Sequence, residues 1–272
     1  MSNKLLRVIS GVVAIGLMVC VLLIRGPLLD VCLLALMGIA IWELQSALRR
    51  AGAKASPVPG LTYTALLYPA WHFFGIAGMA ALLLLACVAS MASMLWREVS
   101  LPNLLGAALW PLYPAMPFTL LLLLGRLAPD DAWMVLLLLL CFVPAILTDT
   151  LAYTVGSLIG KRKLTPISPS KTVEGAIGGF FGGILGALGI GFAAAAYGGA
   201  MLGWPEYALV GALCGIVGQM GDLWASAIKR ACGIKDFGNI IPGHGGILDR
   251  LDGILFCAVV IAAFAVLRMA VV

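Results

Sequence analysis

The sequence predicts an all-α polytopic integral membrane protein of about nine transmembrane helices with a cytoplasmic N-terminus. Three observations carry that expectation. The 272 residues are 62% hydrophobic and only 11% charged, with a mean hydropathy of +1.10. Runs such as LLRVISGVVAIGLMVCVLLI and ILFCAVVIAAFAVLRMAVV reach the roughly 20 apolar residues that carry a helix across a bilayer. The strict apolar–polar alternation of a membrane β-barrel is missing.

The expected spans are 7–25, 28–48, 60–76, 78–96, 103–126, 132–158, 174–199, 207–229 and 253–271. The first run is long for a signal peptide and has no convincing small-residue cleavage site, so it reads as a retained helix. Residues 60–96 could form one span or two, and charge decides. Cytoplasmic connections are enriched in Lys and Arg. Nine spans with the N-terminus inside leave only Arg25, Arg126 and Arg268 outside, of 17 cationic residues. Merging 60–96 flips every later connection and leaves seven cations inside. His72 reads as structural. The seven cysteines form no CxxC pair and read as small packing residues. The net charge of +5 is explained by sidedness, with no nucleic-acid partner.

The composition shifts near residue 145, and the chain divides into an N-terminal scaffold, 1–130, and a catalytic region, 131–272. The second region has two long polar connections, 159–173 and 229–252, both expected on the cytoplasmic side. Spans 8 and 9 could be joined by a few residues. Instead KRACGIKDFGNIIPGHGGILDRLDG lies between them.

Ionisable groups inside membrane spans are costly and point to function. Asp149, Asp222 and Glu174 are of this kind. Glu43 reads chiefly as a partner of Arg49 or Arg50, and Glu174 equally as a helix-dipole partner. Asp222, Ser226 and Lys229 fall near one helical face. Asp249 and Asp252 stand three apart where the last span begins. Carboxylates suit Mg²⁺, which shares its shell with water and substrate phosphates. Lys229, Arg230, Lys235 and Arg250 surround them, a combination suited to polyphosphate or a phosphorylated head group. Glycines in PGHGG let amide N–H groups approach an anion closely. His244 is open between general base, phosphate donor and loop organiser. In GKRKLTPISPSKTVEG, Lys161, Arg162 and Lys163 are an ordinary juxtamembrane basic patch. Ser168, Ser170, Lys171 and Thr172 precede a helix start, where phosphate binds well. The residues alone thus describe a cytoplasm-facing, Mg²⁺-dependent site for phosphate chemistry.

The run from Ser226 through Lys229-Arg230, Lys235-Asp236-Phe-Gly238 and Ile241-Pro-Gly-His244-Gly-Gly-Ile-Leu-Asp249-Arg250-Leu-Asp252 resembles the signature of the phosphatidate cytidylyltransferase (CDP-diacylglycerol synthase) family. Gly221-Asp222, ISPSKTVEG at 167–175 and the Asp149-to-Gly156 run agree with it. Leu151 departs from the small residue usual there. The resemblance implies transfer of the cytidylyl group of CTP to phosphatidic acid, giving CDP-diacylglycerol and pyrophosphate for phospholipid biosynthesis in a bacterial plasma membrane. It implies Asp222, Asp249 and more weakly Asp252 as ligands of one or two Mg²⁺ ions, with room for an assisting monovalent cation. Asp222, Asp249, Lys229 and Arg230 are its catalytic set. Lys235, Asp236, His244, Arg250, Ser168, Lys171, Thr172, Ser226 and Asp149 are its substrate-binding set. A homodimer is implied too. The rivals are a CTP-dependent polyprenol or phytol kinase, which would release CDP, and a transporter, for which the inverted repeats are missing.

Overall fold

The computed structural model describes residues 26–93, 100–197, 202–240 and 245–271. The expected span 7–25 and His244 lie outside them. The described residues form eight α-helices: α1 (Gly26–Arg50), α2 (Val58–Ala92), α3 (Leu101–Trp110), α4 (Met116–Leu127), α5 (Asp131–Ile159), α6 (Val173–Ala196), α7 (Trp204–Ala231) and α8 (Leu248–Val271). A short π-type turn, Pro111–Ala115, joins α3 to α4. Seven helices, with α3–α4 taken as one, are long and apolar enough to cross a membrane. The protein is an integral membrane protein.

Helix α2 breaks at Gly75, two residues before the junction expected between 60–76 and 78–96. Gly75 has φ 62° and ψ −148°, a conformation essentially reserved for glycine. A Cβ added at Gly78 would meet the Ala70 carbonyl. In a continuous helix those residues would stand about 12 Å apart along the axis, so the chain folds back at Gly75. Phe73, Phe74, Leu84, Leu85 and Val88 on α2 are exposed, as lipid-facing residues are.

One helix boundary differs from expectation. The last expected span began at 253, whereas α8 starts at Leu248; α7 runs to Ala231, close to the expected 229. Lys229, Arg230, Asp249, Arg250 and Asp252 are therefore helical residues. Their charges lower the local hydropathy without interrupting the helix.

The chain forms two compact units, Met1–Leu122 with Ile228–Arg250, and Leu123–Ala227 with Leu251–Val272. In the first, polar side chains join the helices. Gln45 Nε2 donates to the Gly106 carbonyl at 2.9 Å. Trp110 Nε1 donates to Ser90 Oγ at 2.9 Å, and Ser90 Oγ to the Ala107 carbonyl at 2.7 Å. Tyr63 and Thr119 share a 2.6 Å hydroxyl–hydroxyl bond. Such bonds and close packing hold helices together where lipid removes the hydrophobic drive between them.

In the second unit, α6 contacts its neighbours through glycines. A Cβ at Gly186 would lie 2.9 Å from Pro144 Cα of α5. One at Gly183 would lie 2.7 Å from Gly215 Cα of α7. Arg268 pairs with Glu206 and lies over the Trp133 ring, 5.5 Å from its centroid. All six described cysteines are free thiols, in keeping with a packing role. Burial pushes the Cys232 thiol up, away from reactivity at neutral pH.

Candidate active site

In the first unit, helix α7 ends in a Schellman turn. Gly233 has φ 65°. The Ile234 N–H reaches the Lys229 carbonyl at 2.9 Å, and the Gly233 N–H reaches that of Arg230 at 3.1 Å. Glycine takes this left-handed position at no steric cost. The turn sends the chain away from the axis with Lys229 and Arg230 in the last helical turn, where cations suit the dipole. Arg230 Nη1 donates to the Ile234 carbonyl at 3.1 Å. Lys235 and Asp236 are exposed on the loop beyond.

The loop closes on Asp249, in the first turn of α8. Asp249 Oδ1 accepts from Lys229 Nζ at 2.6 Å. Its Oδ2 accepts from the Phe237 N–H at 2.8 Å and the Gly246 N–H at 3.0 Å. The Asp249 side chain is 2% exposed and that of Lys229 11%. Lys229 Nζ also lies 5.4 Å from the centroid of the Phe237 ring. Three charge-assisted or amide bonds on one buried carboxylate make it the organiser of the loop as well as a candidate ligand. Gly245, at φ 85°, leaves room beside Asp249 and Asp236. Arg250 is exposed.

Glu43 of α1 belongs to this cluster, which corrects the expectation of a local arginine partner. Its carboxylate accepts from the Ile247 N–H at 3.1 Å and the Leu248 N–H at 2.9 Å. The glycine-rich start of α8 has no capping side chain of its own at Gly245-Gly246-Ile247. That missing cap was the one sequence signal for a distant carboxylate.

The second unit holds the other residues. Lys171 Nζ pairs with Asp222 Oδ2, the two side chains being 24% and 28% exposed. Ser226 Oγ lies 3.4 Å from Asp222 Oδ1, one turn along α7. The connection 160–172 is a closed clasp. Lys163 bridges to Thr172, and the Val173 N–H reaches the Arg162 carbonyl at 2.9 Å. Thr172 Oγ1 caps α6 by accepting from the Gly175 N–H at 3.1 Å. Glu174 Oε2 accepts from the Lys161 and Arg162 N–H groups at 3.0 and 3.3 Å. Glu174 is thus a clamp on this loop, with its dipole role satisfied in the first turn. The Ser168 carbonyl accepts from the Lys171 N–H at 3.1 Å. Asp252 is buried and accepts from the Gly253 N–H at 2.8 Å. Asp149 is exposed on α5. The geometry gathers Lys171, Asp222 and Ser226 in one cluster. Lys229, Asp249 and the Phe237–Gly246 loop form another.

Among the described residues no group of three His, Cys, Asp or Glu side chains could hold a metal ion by itself. A site of one or two carboxylates still suits Mg²⁺, whose remaining positions go to water and substrate phosphate. Asp222 fits that requirement: it is partly exposed and already carries a cation, the Lys171 ammonium. Asp249 fits only if Lys229 moves off Oδ1.

The family model described as the cytidylyltransferase family matches residues 5–268. A Synechocystis protein named phosphatidate cytidylyltransferase is 43% identical over 140 residues, 50% of this chain and 45% of that protein. Proteins of the same name from Staphylococcus aureus and Staphylococcus epidermidis are 42% and 45% identical, each over 44% of this chain and 45% of the relative. The matched stretches therefore span about half the length of these relatives. With nearly its whole length matched, the chain belongs to the cytidylyltransferase family.

Proposed function

We propose that this protein transfers the cytidylyl group of CTP to phosphatidic acid, forming CDP-diacylglycerol and releasing pyrophosphate. The observation that carries the reading is the Lys229–Asp249 pair closing a glycine-rich loop within the signature run of the family. A phosphate oxygen of phosphatidic acid attacks the α-phosphorus of CTP. That P–O bond forms as the bond to the β-phosphate bridge breaks, and the electron pair leaves with pyrophosphate. A phosphate monoester is largely ionised at neutral pH, so the nucleophile needs no strong general base.

The chief obstacle is bringing two polyanions together. Lys229, Arg230 and Lys235 hold the triphosphate. Lys171, Ser168 and the loop around them receive the lipid phosphate or the nucleotide, with Ser226, Asp149, Asp236, Arg250 and His244 as further contacts. Asp222 would hold Mg²⁺, with water and substrate oxygens filling its remaining positions. Asp249 would be open to an ion only with Lys229 released to the triphosphate, and Asp252 is a weaker candidate. The ion, when bound, neutralises charge on the transferring and leaving phosphates. One or two ions, with or without an assisting monovalent cation, suit this arrangement.

Nine spans, an inside N-terminus, a cytoplasm-facing site in a bacterial plasma membrane and a homodimer belong to the same proposal. The fold-back at Gly75 supports counting α2 twice. A cytoplasmic site suits a nucleotide from the cytosol and a lipid from the inner leaflet.

The test is pyrophosphate release by purified protein with phosphatidic acid, CTP and Mg²⁺, with the lipid product identified by mass. Release that needs all three and falls steeply in Asp222→Asn at the same Mg²⁺ concentration supports the proposal. CDP in place of pyrophosphate would make the protein a kinase.

A further inference from the structure

The buried carboxylate of Glu43 stands outside every role assigned so far. It lies within α1, a membrane-spanning helix, yet it is 3% exposed and fully inside protein. Its bonds go to backbone more than 200 residues away, at the start of α8. The first N–H groups of a helix have no intrahelical acceptor. A Ser, Thr, Asp or Asn just before the helix normally supplies one. Here Ile247 stands at that point, with Gly246 before it, and neither has a side chain that can accept. Asp249 reaches back three residues to the Gly246 N–H. Glu43 takes the next two N–H groups, those of Ile247 and Leu248.

The glycines complete the fit. A Cβ on either Gly238 or Gly246 would collide with the Glu43 carboxylate. The loop is thus shaped around this one side chain from both of its ends. What Glu43 holds is the junction from which Asp249 projects. Asp249 in turn holds Lys229 and the Phe237 N–H.

We infer that Glu43 is a positioning residue for the proposed cytidylyl transfer: from α1 it fixes the junction between the glycine loop and α8, and thereby the placement of Asp249 and Lys229. The inference rests on the proposed function for its kinetic consequence, but the anchoring can be read without turnover. A charge on α1 serving as the missing cap of α8 also accounts for a membrane helix retaining an expensive carboxylate.

The experiment compares wild type with Glu43→Gln, Glu43→Ala and Gly246→Ala in detergent. Gln45→Ala serves as a matched control, since it removes a buried bond from the same helix to the Gly106 carbonyl without touching the loop. Amide hydrogen exchange across 245–250 and kcat and KM for both substrates are measured on each. Exchange at Ile247 and Leu248 is expected to rise in all three loop variants and stay at the wild-type rate in Gln45→Ala. The kcat should fall about tenfold or more, as a displacement near 1 Å of reacting groups produces, with KM for phosphatidic acid within twofold. Glu43→Gln, which retains one neutral acceptor, should fall between wild type and Glu43→Ala.

Unchanged exchange at 247–248 in Glu43→Ala would overturn the anchoring. A kcat loss in Gln45→Ala equal to that of Glu43→Ala, at equal loss of melting temperature, would reduce Glu43 to a structural residue and overturn the inference. If wild type transfers no cytidylyl group while exchange still responds to Glu43, the functional proposal fails and the anchor stands.

Discussion

Replacing Asp249 by Asn removes one charge from a carboxylate that three donors share. The Lys229 ammonium, with 11% of its side chain exposed against 2% for Asp249, would be left buried and uncompensated. Breaking a buried ion pair from one side costs roughly 3–5 kcal/mol. The Phe237 and Gly246 N–H groups would exchange a charged acceptor for a neutral one, a loss of about 1 kcal/mol each. These effects overlap, and about 4 kcal/mol is expected in total. For a chain of this size that corresponds to a fall of roughly 8–16 °C in melting temperature. Asp222→Asn breaks a pair whose side chains are about a quarter exposed, so it should cost no more than about 1 kcal/mol. Both variants are melted in one detergent at one scan rate, because unfolding of such proteins is often irreversible. Adding Lys229→Met to Asp249→Asn removes the stranded charge and should recover a good part of the loss, read as non-additive shifts in melting temperature. An Asp249→Asn protein that melts with wild type, or no lower than Asp222→Asn, would refute the reasoning.

Thr172→Ala removes the cap of α6 and should cost about 1 kcal/mol. It should also speed tryptic cleavage at the exposed Lys161, Arg162 and Lys163, and Glu174→Gln should do the same through its two loop bonds. Gly75→Ala forces a side chain into a conformation reserved for glycine and should cost roughly 1–3 kcal/mol, read as a lower melting temperature. Gly183→Ala places a methyl against the Gly215 backbone and should destabilise the protein by about 1–3 kcal/mol. An alanine at Gly189, where a Cβ meets nothing within 4 Å, should be neutral in the same assay.

Much of the architecture was legible because lipid imposes a simple rule. A backbone crossing hydrocarbon must satisfy itself, so long apolar runs are helices. The clasp ends were legible too: α5 stops at Ile159 and α6 starts at Val173, beside a connection drawn as 159–173. The start of α8 was not, because hydropathy measures cost in lipid and not helicity. Leu248-Asp249-Arg250-Leu251-Asp252 is charged enough to leave the membrane yet remains helical. The role of the α6 glycines was not legible either: a Cβ on Gly186 would lie 2.9 Å from Pro144 Cα of α5, a contact between distant segments that composition does not show. Glu43 was misread for a different reason. Its sequence neighbours Arg49 and Arg50 are the nearest opposite charges along the chain, whereas its acceptors serve N–H groups at 247 and 248. Arg49 instead donates to Ser46 at 3.0 Å.

The two lysine–aspartate pairs explain why equal losses of activity would carry different meanings. Asp249 orders a loop, tethers Lys229 and lies buried, so its loss damages the fold before any step of chemistry. Asp222 is partly open to solvent, and its loss leaves the fold nearly intact. A metal ligand and a loop tether also respond differently to Mg²⁺. Removing a ligand weakens ion binding, so residual turnover should need more Mg²⁺ to saturate. Displacing a carboxylate that remains present weakens ion binding less and lowers kcat at every Mg²⁺ concentration. The proposed roles therefore predict a large shift of the Mg²⁺ midpoint for Asp222→Asn and a small one for Glu43→Gln. A shift in Glu43→Gln as large as that in Asp222→Asn would mean that the loop anchor and the metal site are one device.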